Sequence, residues 1–146
     1  MRMSHALLCL TLICAANGTL HARLQGAAPP SRGERVIVFF AWDRPIIDGD
    51  SAARLDEMAA AIRRSPNVSL VVSGHADRSG PAAPNLRSGR ERADAVAAYL
   101  AARGVQSAAM RVVSLGETRP LVATDDGVRE PQNRRVEIVM HSPDNR

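Results

Sequence analysis

The chain has 146 residues, enough for one domain of ordinary size but not for two. Hydrophobic residues make up 45% of the sequence and aromatic residues only 3%, so the core must consist mainly of aliphatic side chains. The formal net charge is +4 at pH 7, but the arginines are interleaved with acids and few rings are available for base stacking. Nucleic acid is therefore not expected as a partner, although the basic excess keeps it as an alternative.

The N-terminal residues have the pattern of an export signal, and we predict a signal peptide over residues 1–22. Arg2 supplies the positive charge, and the apolar run over residues 6–16 is too short to span a bilayer as a helix. Small residues suited to cleavage occur at residues 16–18 and again at Ala22. An uncleaved membrane anchor and a buried N-terminal helix are the alternatives.

Both cysteines, Cys9 and Cys14, lie in this segment, so the mature chain would contain no disulfide and no cysteine metal site. Lipid attachment is disfavoured because acylation requires a small residue before the cysteine, where Leu8 and Ile13 stand. Residues 23–34 have a Pro- and Gly-containing composition without periodicity, and they are predicted to be a linker.

The body of the chain, residues 35–141, is predicted to form one domain, followed by a tail over residues 142–146. Its first apolar run is continuous, which is typical of a strand covered on both faces. Its last run alternates, so that Val136, Ile138 and Met140 share one face. The four predicted strands cover residues 35–40, 68–73, 110–115 and 134–140.

Two helices are predicted between these strands, over residues 51–64 and 85–103. Asp50 or Ser51 can cap the first helix, and Pro66 ends it. Gly89 lies inside the second helix and predicts a frayed or kinked start, because glycine disfavours helix by about 1 kcal/mol. The predicted inner stripes are Leu55, Met58, Ala59 and Ile62 in the first helix, and Leu86, Ala93, Val96, Ala97 and Leu100 in the second.

The order β-α-β-α-β-loop-β predicts an α/β (α+β) two-layer sandwich, a mixed four-stranded sheet with the helices on one face. The long polar loop over residues 116–132 is what allows the last strand to run antiparallel to its neighbour.

Opposite charges stand on either side of the turn between the second strand and the second helix. Asp77 follows the strand directly, and Arg92 shares a helix face with Ser88 and Val96, which turns it toward the sheet. Such a pair can hold a ligand head that carries both an ammonium and a carboxylate, because the arginine fork makes two parallel bonds to carboxylate. A purely structural ion pair is the alternative.

Four motifs resemble the OmpA-like C-terminal domain family, in the same order along the chain. They are Val38 to Asp43, the run Gly74-His75-Ala76-Asp77-x-x-Gly80 with Asn85 and Arg92-Ala93, the segment Leu115-Gly116-Glu117-x-x-Pro120, and Asn133-Arg134-Arg135-Val136-Glu137-Ile138. The resemblance implies a periplasmic domain, in places associated with the outer membrane, that binds peptidoglycan non-covalently through the diaminopimelate of the stem peptide. It implies no enzymatic activity, no cofactor and no metal.

The resemblance also implies the residues of the binding site. Asp77 and Arg92 would grip the ligand, and Asp43 at the end of the first strand would add a contact. Ser79 and Gly80 shape the turn, and Asn85 would cap the second helix and hold the turn shut. Three sites depart from the family pattern: Ala76 stands in place of Thr, Ala41 in place of Asp, and Ser88-Gly89 in place of Leu-Ser.

The other polar residues of these motifs are given structural roles. His75 is expected to be a hydrogen-bonded structural residue, Asn133 to Arg135 the start of a strand with a solvated face, and residues 125–127 a simple turn. Two further functional alternatives are a hydrolase using His75 and Asp77, and a degenerate domain that binds another protein. The hydrolase is disfavoured because the sequence contains no nucleophile elbow and no metal-ligand spacing.

Overall fold

The computed structural model describes residues 35–65 and 67–141. The predicted signal peptide, linker and tail, and the predicted helix-ending Pro66, lie outside the described residues. The described elements are β1 (Arg35–Phe39), α1 (Gly49–Arg64), β2 (Ser69–His75), α2 (Ala82–Ala101), β3 (Met110–Gly116) and β4 (Arg135–His141), with short 3₁₀ turns at Ser107–Ala109 and Pro131–Asn133.

The strands form one mixed sheet in the order β1-β4-β2-β3, which confirms the predicted architecture. β2 and β3 are parallel, whereas β4 lies between β1 and β2 and is antiparallel to both. Val136, near the start of β4, is therefore opposite Val38 of β1 and Gly74 of β2. The start of β4 thus lies beside the ends of its two neighbours, and this arrangement builds the site described below.

The core lies between the sheet and the two helices. One face of the sheet and the inner sides of both helices form a single buried cluster, which includes Val38, Leu55, Leu70, Val72, Val96, Leu100 and Ile138. The expectation that β1 is covered on both faces is wrong, because β1 is an edge strand and the helices cover only one face of the sheet. Val38 is fully buried, while Phe39 on the other face is 43% exposed.

Helix α1 begins slightly earlier than predicted. Its N-cap is Asp48, whose carboxylate accepts a hydrogen bond of 2.8 Å from the backbone N–H of Ser51, so neither Asp50 nor Ser51 is the cap. The predicted stripe is correct, and all four of its members are buried.

Helix α2 begins three residues before the predicted start and ends before Gly104, and its polar residues occupy inward positions near the N-terminus. Leu86, assigned to the inner stripe, is 50% exposed. The inward positions of that region are instead Asn85, Gly89 and Arg92, and the buried apolar positions begin at Ala93. The inner face of the helix therefore changes from polar to apolar along its length, with the polar end beside the site.

Gly89 does not interrupt α2, which is helical from Ala82 to Ala101. A β-carbon at Gly89 would lie 2.5 Å from Ser114 Oγ and 2.9 Å from the carbonyl oxygen of Gly74. The glycine therefore allows α2 to approach β2 closely. Neither described helix is both long and apolar enough to cross a membrane.

Candidate functional site

Asp77 lies in the loop between β2 and α2 and is 2% exposed. Its Oδ1 accepts hydrogen bonds from the Ser79 hydroxyl at 2.5 Å and the Ser79 backbone N–H at 3.4 Å. Its Oδ2 accepts a bond of 2.9 Å from Nη1 of Arg134. Burial alone would raise the pKa of Asp77, but the bonds from Ser79 and Arg134 outweigh it and hold the pKa below its usual value.

Arg92 is buried beside this carboxylate, but it is not bonded to it. The side chain is 6% exposed, and its nitrogens donate to the carbonyl oxygens of His75 at 3.0 Å and Trp42 at 3.4 Å. Burial lowers the pKa of Arg92, and the positive charge of Arg134 lowers it further. The alternative of a structural ion pair between Asp77 and Arg92 is therefore wrong: the two charges are neighbours, and Arg134 holds the carboxylate.

Arg134 is the site residue that the sequence analysis missed. It directly precedes β4, where the antiparallel pairing places it between the ends of β1 and β2. Its Nε donates to the carbonyl oxygen of Phe40 at 3.3 Å, and its backbone carbonyl accepts from the Phe40 N–H at 2.9 Å. The expected antiparallel last strand was the signal that could have found it, since that direction brings the start of β4 to the end of β2.

The whole Asn133 to Arg135 motif is buried, so its assignment to a solvated face is wrong. Asn133 is 0%, Arg134 8% and Arg135 3% exposed. Asn133 accepts hydrogen bonds from the backbone N–H groups of Leu121 and Val122 and donates to the carbonyl oxygen of Val122. The preceding loop therefore folds back over the start of β4 and removes these side chains from solvent.

Asn85 closes the turn in front of α2, although it is not the N-cap that the sequence predicts. The helix begins at Ala82 with Pro81 at the N-cap position, so Asn85 is already inside it. Its Nδ2 donates to the carbonyl oxygen of Gly80 at 3.1 Å and also to a carboxylate oxygen of Glu117. Asn85 therefore does hold the turn shut, as predicted, but through its bond to the Gly80 carbonyl oxygen and not as a helix cap.

The turn at residues 125–127 also contacts the loop that carries Asp77, through Arg78. Arg78 pairs with Asp126, and the Gly127 backbone N–H donates to the Arg78 carbonyl oxygen at 2.6 Å. Gly127 has φ of 83°, a conformation that glycine adopts without strain. The segment is a turn, as predicted, and it also fixes the loop that carries Asp77.

A small cleft beside Arg92 opens the site to solvent. Its volume is about 30 Å³, and it is lined by Trp42, Asp43, Arg44, Pro45, Ser88, Glu91 and Arg92. The Asp43 side chain is 68% exposed and lies 3.8 Å from Arg44, so it belongs to the rim of the cleft. Trp42 is 44% exposed, and the guanidinium of Arg129 lies 4.1 Å from the centre of its ring.

His75 is buried next to the backbone of Arg119, and neither ring nitrogen has a partner at good hydrogen-bonding geometry among the described residues. Burial lowers its pKa to about 4, and the charge of Arg135 adds to this effect. Among the described residues, no hydroxyl bonds to either ring nitrogen as an activated nucleophile would. Within residues 35–65 and 67–141, no three His, Cys, Asp or Glu side chains come together as metal ligands.

The geometry suits the binding of a small charged group. The buried guanidinium of Arg92 lines the cleft, and its fork suits a carboxylate. Asp77 is close enough to interact electrostatically with Arg92, although it is not among the residues that line the cleft. Hydrogen bonds made by Ser79, Asn85 and Arg78 hold the loop that carries Asp77 in place in the absence of a ligand.

Comparisons with known proteins agree with this description. The model of the OmpA family matches residues 39–134. The peptidoglycan-associated lipoprotein of Brucella melitensis is 35% identical over 122 residues, covering 80% of this chain and 73% of that protein. The peptidoglycan-associated lipoprotein of Pasteurella multocida is 39% identical over 99 residues, covering 68% of this chain and 66% of that protein.

Solved structures show the same fold. The crystal structure of the peptidoglycan-associated lipoprotein from Burkholderia pseudomallei has a TM-score of 0.69 at 29% identity, covering 81% of this chain and 98% of that one. The C-terminal domain of Helicobacter pylori MotB has a TM-score of 0.65 at 23% identity, covering 75% of this chain and 87% of that one. At this identity the similarity shows the fold alone.

Proposed function

The chain belongs to the OmpA family, and we propose that it binds peptidoglycan non-covalently, through the diaminopimelate of the stem peptide. The relatives named above are peptidoglycan-associated lipoproteins, and they suggest the cell envelope as its place. There it would link itself, or the outer membrane, to the cell wall from the periplasm. The family consists of binding proteins and not of enzymes, so no bond is made or broken.

The observation that carries this proposal is the buried Arg92 at the cleft. Its side chain is 6% exposed, and in the described part of the chain it bonds only to carbonyl oxygens. A buried guanidinium without a carboxylate partner is unfavourable until an anion reaches it. The free carboxylate of diaminopimelate would meet that need through two parallel N–H···O bonds.

Asp77 would take the ammonium on the same carbon of the ligand. Its Oδ2 accepts one bond, from Arg134, which leaves a lone pair for a second donor. Ser79 holds the carboxylate in its rotamer, and Gly80 and Asn85 fix the turn. Asp43, at the exposed rim, would contact the peptide outside the cleft.

The cleft is small for a whole amino-acid head, since about 30 Å³ holds about two water molecules. Entry of the ligand would therefore require the exposed side chains of the rim, Trp42 and Asp43, to rotate outward. Each charge-assisted bond contributes about 1.5–3 kcal/mol, so after ordering costs the affinity for one stem peptide would be micromolar to millimolar. Many such sites on one polymer would strengthen retention by avidity.

Retention of the mature chain on purified sacculi of the diaminopimelate type tests the proposal. The wild-type chain should co-sediment, and Arg92→Ala should not. Arg90→Ala is the matched control, because Arg90 lies on the same helix but is exposed and pairs with Asp94. Asp77→Ala should also lose retention, since it removes the buried acid of the site and leaves the Arg134 guanidinium without its carboxylate partner.

Circular dichroism of each variant separates binding from folding. A folded Arg92→Ala chain that sediments with sacculi as well as the wild type would contradict the proposed site. A wild-type chain that stays in the supernatant would contradict the proposed function.

A further inference from the structure

The end of the domain opposite the site is rich in arginine. Because β1, β2 and β3 end toward the site and β4 begins there, the opposite end of the sheet carries the starts of the first three strands and the end of β4. Both helices run back from the site, so their C-terminal residues lie at this same end. The arginines found there, which we call the basic end, are Arg35, Arg63, Arg64, Arg103 and Arg111.

Few acids offset these charges among the described residues. Asp56 pairs with Arg103. Glu137 pairs with Arg35. Five arginines against these two acids leave an excess of three positive charges. The next acid of α1, Glu57, lies seven positions before the last residue of the helix, which is about 10 Å along its axis. The basic end therefore presents a net positive surface to whatever it meets.

A recess with apolar walls opens within the basic end, between the C-terminus of α1 and the segment before β3. Its volume is about 290 Å³, and it is lined by Ile62, Arg63, Val68, Gly104, Gln106 and Ala109. The Arg63 side chain is anchored beside it by a hydrogen bond of 2.6 Å to the Arg103 carbonyl oxygen. Apolar side chains next to guanidinium groups suit an anionic amphiphile, because such a ligand offers both a charge and hydrocarbon.

The chain enters the domain at the basic end. Arg35 is the first residue of β1, so the predicted export signal and linker, residues 1–34, are attached there. The proposed wall site lies at the other end of the sheet, where β1 and β2 end and β4 begins. A membrane against the basic end would therefore leave the wall site facing away from it.

We propose that the basic end is a binding surface for anionic phospholipid, so that one end of the domain contacts a membrane while the other is open to the wall. Each arginine near an anionic bilayer contributes about 1 kcal/mol, so three excess charges give weak, reversible and salt-sensitive binding. Such binding would bring a chain without a lipid-attachment pattern to the membrane surface. The inference goes beyond the proposed function and does not depend on it.

Co-sedimentation of the mature chain with vesicles tests the proposal. Vesicles of phosphatidylcholine with about 30% phosphatidylglycerol present an anionic surface, and vesicles of phosphatidylcholine alone present a neutral one. The wild-type chain should bind the anionic vesicles at least about tenfold more tightly, and added salt should largely remove the difference. Equal binding to the two kinds of vesicle at low salt would overturn the proposal.

Two pairs of substitutions with the same change in net charge locate the binding surface. Arg64→Gln with Arg111→Gln removes two charges from the basic end and leaves the bond of Arg63 in place, and binding to anionic vesicles should weaken about tenfold or more. Arg54→Gln with Arg87→Gln removes two exposed charges from the N-terminal halves of the helices, and binding should stay within about threefold of wild type. Equal losses in the two double variants would show that net charge attracts the vesicles, and would overturn the basic end as the surface.

Two further measurements separate this proposal from its neighbours. Inorganic phosphate should not displace the anionic vesicles at matched ionic strength, and displacement would overturn a lipid surface as the partner. The Arg64→Gln, Arg111→Gln chain should be retained on sacculi like the wild type, because neither residue lies at the wall site. A wild-type chain that is retained on sacculi but ignores anionic vesicles would overturn the membrane surface and leave the proposed function intact.

Discussion

The carboxylate of Asp77 and the guanidinium of Arg134 lie 2.9 Å apart, although 57 positions separate the two residues in the sequence. Their side chains are 3% and 10% exposed, so this is a buried ion pair. It ties the loop after β2 to the start of β4, and it leaves Arg92 as the buried cation that lines the cleft.

Breaking this pair should strongly destabilise the domain. Arg134→Ala leaves the Asp77 charge buried with Ser79 as its remaining donor, and we expect the free energy of unfolding to fall by about 3–5 kcal/mol. The double variant Asp77→Asn with Arg134→Gln should lose less, because no lone charge remains. Urea denaturation at pH 7 measures both, and equal losses in the two chains would contradict a buried pair.

His75 should make stability depend on pH between about pH 4 and pH 6.5. Its pKa is lowered to about 4 by burial and by Arg135, so the folded chain resists protonation that the unfolded chain accepts below pH 6.5. The free energy of unfolding is therefore not reduced by His75 above pH 6.5, and it falls by at most about 3 kcal/mol as the pH drops toward 4.

Replacement of His75 by Gln should flatten this pH dependence, measured as thermal or urea unfolding at a series of pH values. His141→Gln, at an exposed position, should leave it unchanged. The lowered pKa values of Asp77 and Glu137 act mainly at lower pH, because a depressed carboxyl pKa contributes stability that begins to be lost only below about pH 5. An unchanged slope between about pH 5 and pH 6.5 in His75→Gln would show that the imidazole is not the titrating group.

Gly89→Ala should destabilise the domain, although alanine favours helix over glycine by about 1 kcal/mol. The added carbon would lie 2.5 Å from Ser114 Oγ and 2.9 Å from the Gly74 carbonyl oxygen, so α2 or β2 must shift. We expect a net loss of about 1–3 kcal/mol in urea denaturation. Gly49→Ala is the control, since no atom lies within 4 Å of its added carbon and stability should stay equal or rise. A stabilised Gly89→Ala chain would mean that the close approach is not required.

Asn133→Ala should loosen the loop that covers the start of β4. Asn133 is fully buried and makes three hydrogen bonds, to the backbone of Leu121 and Val122. Their loss should cost about 2–4 kcal/mol and accelerate hydrogen exchange at the amides of Leu121 and Val122. Gln132→Ala, at the exposed neighbouring position, should change neither quantity. Unaltered exchange in Asn133→Ala would show that other contacts hold the loop.

Local patterns were sufficient for the elements and for much of the site. The stripe of α1, the alternation of β4 and the order of elements follow from hydrophobic periodicity, which depends only on neighbours in the sequence. The inward direction of Arg92 followed from helical spacing in the same way, and the structure confirms it at 6% exposure. The motifs of the OmpA family were sufficient to identify the family that the comparisons show.

Two of the errors share one cause, which is the position of an element relative to its distant neighbours. Leu86 fits an apolar stripe by spacing, but the inner face of α2 is polar where it meets the site. Phe39 fits a buried strand by composition, but β1 lies at the edge of a sheet covered on one face. Neither the polar inner face of α2 near Leu86 nor the edge position of β1 can be predicted from neighbouring residues in the sequence.

The sequence alone determined the layers of the fold, the family, and which charged residues belong near the turn, because periodicity and motif spacing are local properties. Only the tertiary structure decided that Arg134, and not Arg92, holds Asp77. That pairing depends on β4 lying antiparallel between β1 and β2, which places two residues far apart in the chain at one end of the sheet. Which charge is neutralised and which is left for a ligand is therefore fixed by strand order.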